Sequence, residues 1–198
     1  QVYSQILLDE FLLSELKSSN GWWANKFGYQ LGVKYIDAFD VKNLDLQVEL
    51  NRVRPFTYTH FDSVSNYSNN NMALAHPLGA NFQELILDVK YQPMKRVYLE
   101  SKIIYYYQGT DSAGKNMGNN ILIDYKNRPA DFGWNIGTGN KATCFYWNTN
   151  VSYEAMENLF IDAGLTVRNY SLAKGIGSNN LLLSAGIRLN LNKRIFEF

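Results

Sequence analysis

The feature that most constrains the fold is an alternation over positions 181–192, in which every second residue is apolar. The apolar positions are Leu181, Leu183, Ala185, Ile187, Leu189 and Leu191. The positions between them are Leu182, Ser184, Gly186, Arg188, Asn190 and Asn192. Because successive side chains of a β-strand point to opposite faces, this stretch is predicted to be a strand with one apolar and one polar face. It is longer than the ~9–11 residues that a tilted strand needs to cross a bilayer.

The same alternation recurs along most of the chain. Strands are predicted at 27–39, 44–55, 82–92, 97–108, 145–154 and 159–170, and at 2–9, where the alternation is poorer. These strands are about 11–13 residues long, whereas strands of globular proteins average about 5–6. The pattern predicts an all-β protein of about eight strands.

The connections between these strands alternate in length. Long ones are expected at 11–26, 57–81, 109–143 and 173–180, and short ones at 40–43, 93–96 and 157–158. Within the third long connection, residues 121–125 could form a hairpin arm or extend a strand. Long loops at one end and short turns at the other are typical of antiparallel barrels in bacterial outer membranes.

The fold class that follows is an all-β, antiparallel, up-and-down transmembrane β-barrel, with residues 1–198 as one domain in the outer membrane. The residues expected to face lipid are Leu46, Val48, Leu87, Leu99, Leu165 and Leu189. A soluble barrel or sandwich would bury the same residues instead, and alternation alone does not distinguish the two. The strand lengths and the aromatic content of 15% favour the membrane.

Composition argues against several other classes. The net charge of +1 argues against nucleic acid as a partner, and Cys144, the one cysteine, leaves no internal disulfide. No cofactor is expected. His60 and His76 share a loop with Asp62 and Ser63, but a catalytic triad needs a rigid scaffold, and an Asn-rich loop is a poor one. The chain is therefore not expected to be an enzyme.

Three segments carry a resemblance to a known family. They are Gly-Trp-Trp-Ala-Asn-Lys-Phe-Gly at 21–28, Asn-Arg-Val-Arg-Pro-Phe-Thr-Tyr at 51–58 and Ala-His-Pro-Leu-Gly-Ala-Asn-Phe at 75–82. They resemble the C-terminal part of Bacteroidota outer-membrane barrels of the gliding-motility RemB and capsule-assembly Wzi type. Residues 184–191 also resemble the C-terminal assembly signal of bacterial outer-membrane barrels.

The resemblance implies a barrel with more strands than the eight counted here. It implies cell-surface roles in polysaccharide attachment or export, or in support of gliding motility. The implied partners are outer-membrane lipid and lipopolysaccharide, surface polysaccharide and other outer-membrane proteins. The resemblance supplies no catalytic residues.

Closure of these eight strands into a barrel is not expected. It would require residues 2–9, which mix polarity on both faces, to pair with residues 181–192. Since an open strand edge in lipid leaves backbone groups unpaired at several kcal/mol each, further strands should come from another part of the protein. Residues 1–198 are thus expected to be the C-terminal portion of a larger barrel.

Charged residues on the polar face predict a network in the barrel lumen. Its candidates are Glu154, Asp162, Arg168 and Arg188. Buried charges must pair, and Asp162 on the neighbouring strand is the expected partner of Arg188.

Arg52 and Arg54 interrupt an otherwise apolar face just before Pro55. At the end of a strand they would reach the headgroup level, where a guanidinium can form paired hydrogen bonds with a lipid phosphate. A bulge that turns both residues inward is the alternative.

Two loop serines, Ser63 and Ser112, are candidate O-glycan acceptors. Each follows an aspartate, in Asp-Ser-Val and Asp-Ser-Ala, and both triplets resemble the short acceptor pattern of Bacteroidota.

The function expected from these features is a cell-surface assembly component, polysaccharide-associated or motility-associated, that acts through its extracellular loops. An outer-membrane pore or transporter for small solutes is the alternative. A soluble, lipocalin-like binding protein is a third possibility.

Overall fold

The computed structural model describes residues 1–173 and 175–190, apart from the side chain of Ser63. Its strands are β1 Val2–Glu10, β2 Lys26–Tyr35, β3 Leu44–Val53, β4 Ser68–Asn69, β5 Met72–Ala73, β6 Phe82–Met94, β7 Val97–Thr110, β8 Asn140–Met156, β9 Leu159–Leu172 and β10 Ile176–Leu189. One α-helix, α1, spans Leu13–Ser18, and short 3-10 turns span Ala38–Asp40 and Ser63–Ser65.

The eight long strands form one antiparallel sheet in the order β1-β2-β3-β6-β7-β8-β9-β10, while β4 and β5 form a small separate hairpin. The all-β, up-and-down arrangement of eight strands predicted from the alternation is confirmed. In the described part of the chain β1 and β10 are the two edges, and the sheet is not closed into a barrel. The expectation that these strands do not close on themselves is therefore also confirmed.

Several boundaries differ from the predicted ones. The last strand begins at Ile176 rather than at 181, so the predicted loop 173–180 shrinks to a tight connection, and residues 191 and 192 lie outside the described residues. Strand β8 begins at Asn140, earlier than predicted, because its first residues pair with the end of β7. Residues 121–125 form turns, neither a strand extension nor a hairpin arm, because Ile121 is buried in the core beneath the loops. Helix α1 lies in the first predicted connection and was not foreseen.

Strand register aligns the apolar residues across the whole sheet. One row of directly paired residues, one from each long strand, consists of Val2, Val33, Val48, Leu87, Ile103, Trp147, Val167 and Leu181. The neighbouring positions on this face are mostly apolar too. Many residues of the face are solvent-exposed, for example Val48 at 45% and Val2 at 79%. The sheet therefore presents a broad, exposed apolar face.

The opposite, polar face carries the core. Val53, Phe82, Gln108 and Ala142 are paired neighbours on this face, and all four are buried. They lie near the end of the sheet where the long connections emerge. Residues 11–25, 54–81 and 111–139 fold across this end of the polar face, and we call them together the loop layer. This is the reverse of a soluble sandwich, in which the apolar face is the buried one.

Candidate functional site

The loop layer is held together by direct backbone contacts between its three segments. Trp23 donates its N–H to the carbonyl of Asp131, at 2.9 Å. Phe56 donates to Gly118, also at 2.9 Å, and Ala80 donates to Asn119 at 3.2 Å. The rings of Phe56 and Trp134 meet edge to face with centroids 4.7 Å apart. The three loops consequently form one packed body.

Asn81 connects the most segments. Its Nδ2 lies 2.8–2.9 Å from the carbonyl oxygens of Gly109, Met117 and Thr138, and its Oδ1 accepts the N–H of Gly137 at 2.8 Å. The residue is fully buried and has a φ of 58°, a left-handed conformation that asparagine tolerates better than most residues. One side chain thus fixes both ends of the loop between β7 and β8.

Lys26, the first residue of β2, is a buried cation under the loop layer. Its Nζ donates to the carbonyl of Thr59 at 2.7 Å and lies 3.1 Å from a carboxylate oxygen of Glu10. The same ammonium lies over the rings of Trp23 and Tyr125, at 5.2 and 4.6 Å from their centroids. A fully buried lysine is tolerated because a carboxylate, a carbonyl and two π faces replace its water.

Arg52 and Arg54 separate in the structure. The Arg54 guanidinium is half-buried and donates to the carbonyl oxygens of Asn25, Trp22 and Trp134, at 2.8, 3.1 and 3.3 Å. Burial, and then the charge of Arg52, lower the pKa of Arg54, which nonetheless stays charged at neutral pH.

The contacts of Arg54 are a correction to the sequence analysis. Since residue 54 follows the end of β3, its side chain is free to turn toward the loops, and it stabilises the loop layer rather than reaching outward. Arg52 lies exposed on the apolar face, 3.4 Å from the hydroxyl of Tyr29. Arg52 stays a predicted contact to a lipid phosphate.

A hydrogen-bonded network crosses the polar face below the loop layer. Asn51 donates to Oε1 of Glu49 at 2.9 Å and to Oε2 of Glu84 at 3.0 Å. The second oxygen of Glu49 accepts from the hydroxyl of Tyr3 at 2.6 Å, and His76 lies 3.0 Å from Glu84. Two carboxylates on neighbouring strands are thereby joined through Asn51.

His76 is positioned by packing as well as by the network. Its ring stacks on Phe82 with centroids 4.4 Å apart, and its Nδ1 accepts the N–H of Leu78 at 3.2 Å. With Nδ1 facing a backbone N–H, Nε2 is the ring nitrogen directed at Glu84. His60 lies elsewhere, 3.7 Å from Asp9, so the two histidines do not share a site.

A cavity of about 270 Å³ lies between this network and the overlying loop 54–81. Gln5, Gln30 and Asn51 line it from the sheet. Tyr58 and Tyr67 line it from the loop, with their rings stacked at 5.9 Å. Burial, and then the charge of Asp9, raise the pKa of the Tyr58 hydroxyl, which is therefore neutral at physiological pH.

The four predicted lumen charges lie on one face but do not form a single network. Arg188 and Asp162 make a two-armed ion pair, with distances of 2.9 Å at Nε and 3.3 Å at Nη2, and the partner is the one expected from the sequence. Glu154 lies at the turn end of β8, where its carboxylate accepts from the hydroxyl of Tyr98 at 3.5 Å. Arg168 lies apart from them, over the ring of Tyr170.

The two candidate glycan acceptors lie in the loop layer. Ser63 begins a 3-10 turn, and its side chain is not described. Ser112 is half-buried in a tight turn that its backbone closes with Lys115. Their modification stays a prediction.

The described residues contain no group of three or more His, Cys, Asp or Glu side chains arranged to hold a metal ion. No helix in the described ranges is long and apolar enough to cross a membrane.

Sequence reasoning missed the residues that matter most here: Lys26, Asn81, and the Asn51–Glu84 contact. The last could have been found by register, since Asn51 and Glu84 are direct partners across β3 and β6. The Lys26–Glu10 ion pair could have been found in the same way, since the two residues are direct partners across β1 and β2. Asn81 leaves no such sign, because its partners lie at the end of β7 and in the loop that follows, far away in sequence.

Comparison of the chain with protein-family models, with curated proteins and with solved structures found no match.

Proposed function

We propose that this chain forms part of an outer-membrane β-barrel and acts as a cell-surface assembly component through its extracellular loops. The component is polysaccharide- or capsule-associated, or associated with gliding motility, as the resemblance to RemB- and Wzi-type barrels implies. The observation that carries the proposal is the inverted sheet, whose apolar face is exposed while its polar face lies under the loop layer.

Membrane insertion explains the exposed apolar face. Strands β6 to β10 have 13, 14, 17, 14 and 14 residues, more than the ~9–11 that a tilted strand needs to cross a bilayer. A monomeric soluble protein rarely exposes so large an apolar surface. The two open edges are consistent with further strands that complete the barrel.

The packing of the loop layer supports its role as an ordered binding surface. Flexible surface loops expose their backbone, whereas the loop layer buries Lys26, Phe56, Asn81 and Trp134. An ordered surface of this kind can present fixed groups to a polysaccharide or to another surface protein.

A pore for small solutes is the second candidate, supported by the charges of both signs on the polar face. The loop layer argues against a wide opening, since it covers that face at one end. Planar-bilayer recordings of the full-length protein separate the two, because a large steady conductance favours the pore.

Surface labelling tests the proposal. An epitope tag inserted at Gly114, where the chain is exposed and an added Cβ would meet nothing, should be accessible on intact cells. The matched control is a tag in the two-residue turn at Glu157 and Asn158, which should require permeabilised cells. Deletion of the gene should then reduce surface polysaccharide or gliding. If the turn tag but not the loop tag is accessible on intact cells, the loops lie on the inner side of the membrane, and the proposed function is wrong.

A further inference from the structure

We infer that the cavity between loop 54–81 and the polar face of β1 to β3 binds a neutral sugar unit, a hexose or an N-acetylhexosamine. The inference rests on the proposed function in one respect, since a cell-surface location makes a surface glycan the source of that unit. The chemistry of the cavity itself carries the choice of ligand class.

Charge around the cavity argues against an anionic ligand. The described residues that line it include no lysine or arginine. His76 also lines the cavity, and its ring is hydrogen-bonded to Glu84 at 3.0 Å. The carboxylates of Glu49 and Glu84 lie beside it, and both accept hydrogen bonds from Asn51. A phosphate, sulfate or uronic acid would meet these two carboxylates with no lysine or arginine in the described lining to compensate its charge.

The polar groups of the cavity suit a ligand rich in hydroxyls. Gln5 and Gln30 line the cavity with side-chain amides from two adjacent strands, and Tyr58 and Tyr67 line it with phenol rings from the loop. Asn51, on the next strand, offers its Oδ1 as an acceptor, because its two N–H groups already donate to Glu49 and Glu84. An amide carries an acceptor and a donor in one plane, so it can bond two neighbouring hydroxyls of one sugar ring. A hydroxyl both donates and accepts, and it can therefore satisfy all of these groups.

Apolar residues of the cavity match the apolar faces of a sugar ring. Leu7, Val53, Leu74 and Phe82 line the same cavity. A sugar ring has apolar C–H faces between its polar edges, so it can pack against such walls while its hydroxyls reach the amides. The lining as a whole is more polar than that of most small-molecule sites, as a ligand rich in hydroxyls requires.

The site is also held in place before any ligand arrives. Asn51 is fixed by the two carboxylates to which it donates, and its side chain is 5% exposed. Tyr58 is buried against Tyr67, and its backbone N–H donates to Asp9 at 3.0 Å. Little ordering is left for the ligand to impose, which favours binding.

NMR titration of the full-length protein in detergent micelles tests the inference. The probes are glucose, galactose, mannose and N-acetylglucosamine, with glucosamine and inorganic phosphate as charged comparisons. At least one neutral sugar should bind, and Gln30→Ala and Tyr67→Ala should each weaken it about tenfold, the effect expected from losing one or two hydrogen bonds. Gln92→Ala is the matched control, because Gln92 lies on the same face at the far end of β6, and it should leave the affinity unchanged.

Heat-modifiable migration of each variant shows whether its barrel is intact. Binding of glucosamine or phosphate in preference to every neutral sugar would overturn the inference, as would equal affinities of the three variants. These outcomes leave the surface-labelling result untouched. If the protein binds a neutral sugar but its loop tag is not accessible on intact cells, the proposed function is wrong and the sugar site stands.

Discussion

Strands β6 and β10 have nearly the same length and a similar alternation, yet their surroundings differ. The loop end of β6 is buried, with Phe82 fully covered by the loop layer and Glu84 enclosed by hydrogen bonds. Strand β10 is exposed along almost its whole length and on both faces, with Leu183 at 73%. An alternating strand therefore acquires its buried environment from what lies across and beside it.

Two features of the chain produce the contrast. The connections on either side of β6 and β7 include the long loops 54–81 and 111–139, whereas β9 and β10 are joined at the same end by a connection of only three residues, 173–175. Among the described residues, strand β10 also has a neighbour on one side only. The packing of the described residues is thus concentrated at the loop end of β1, β2, β3, β6, β7 and β8.

Phe82→Ala should show the largest effect. Removing a fully buried phenylalanine from the core under the loops is expected to lower the free energy of unfolding by about 3–5 kcal/mol. Leu183→Ala on β10 is the matched change at an exposed site. Denaturant unfolding of the full-length protein in lipid vesicles measures both, and similar losses would mean that the two regions do not differ as described.

Leu165→Arg asks what covers the exposed face of β9 and β10. If lipid covers it, an arginine near the midplane costs ~2–4 kcal/mol and the barrel assembles poorly. Thr166→Arg, one residue along on the polar face, should assemble well. Heat-modifiable migration of both variants in gel electrophoresis measures the fraction of each that is folded. Equal folded fractions would contradict a lipid-facing sheet.

Lys26→Met tests the buried cation under the loop layer. The methionine keeps most of the apolar stem but leaves the carbonyl of Thr59 without its donor, at a cost of about 1–3 kcal/mol. Lys102→Met is the control, because the Lys102–Asp88 pair is partly exposed, at 3.3 Å, and such pairs contribute little. Unfolding curves measure the loss in free energy of unfolding for each variant. A larger loss from Lys102→Met than from Lys26→Met would show that Lys26 does not stabilise the contact between the loops and the sheet.

Asp162→Asn should show the smallest effect. It removes the ion pair with Arg188, but that pair lies at the exposed edge strand, where solvent weakens it. Glu84→Gln, which disturbs an enclosed carboxylate, should be clearly more destabilising under the same conditions. A large loss from Asp162→Asn would indicate that an added strand buries the pair in the full-length protein.

Much of the sheet could be predicted from the sequence because strand periodicity is local. Alternation of Leu181 to Leu189 identifies a strand and its apolar face, and pairing of neighbouring strands then brings Asp162 to Arg188. The loop layer follows no such period. Nothing local indicates that Arg54 turns to the carbonyl of Trp134, 80 residues away, rather than outward. The cavity escaped prediction for the same reason, since its loop wall depends on contacts that only the folded chain creates.

The hydrogen bonds of Asn81 bear on how antibodies would recognise the loop layer. Because one side chain holds the backbone of Gly109, Met117 and Thr138 together, segments far apart in sequence lie side by side in the folded chain. Antibodies raised against the folded protein should therefore recognise discontinuous epitopes, and linear peptides of 111–139 should be poor immunogens for them. Asn81→Ala would be expected to abolish several such epitopes at once.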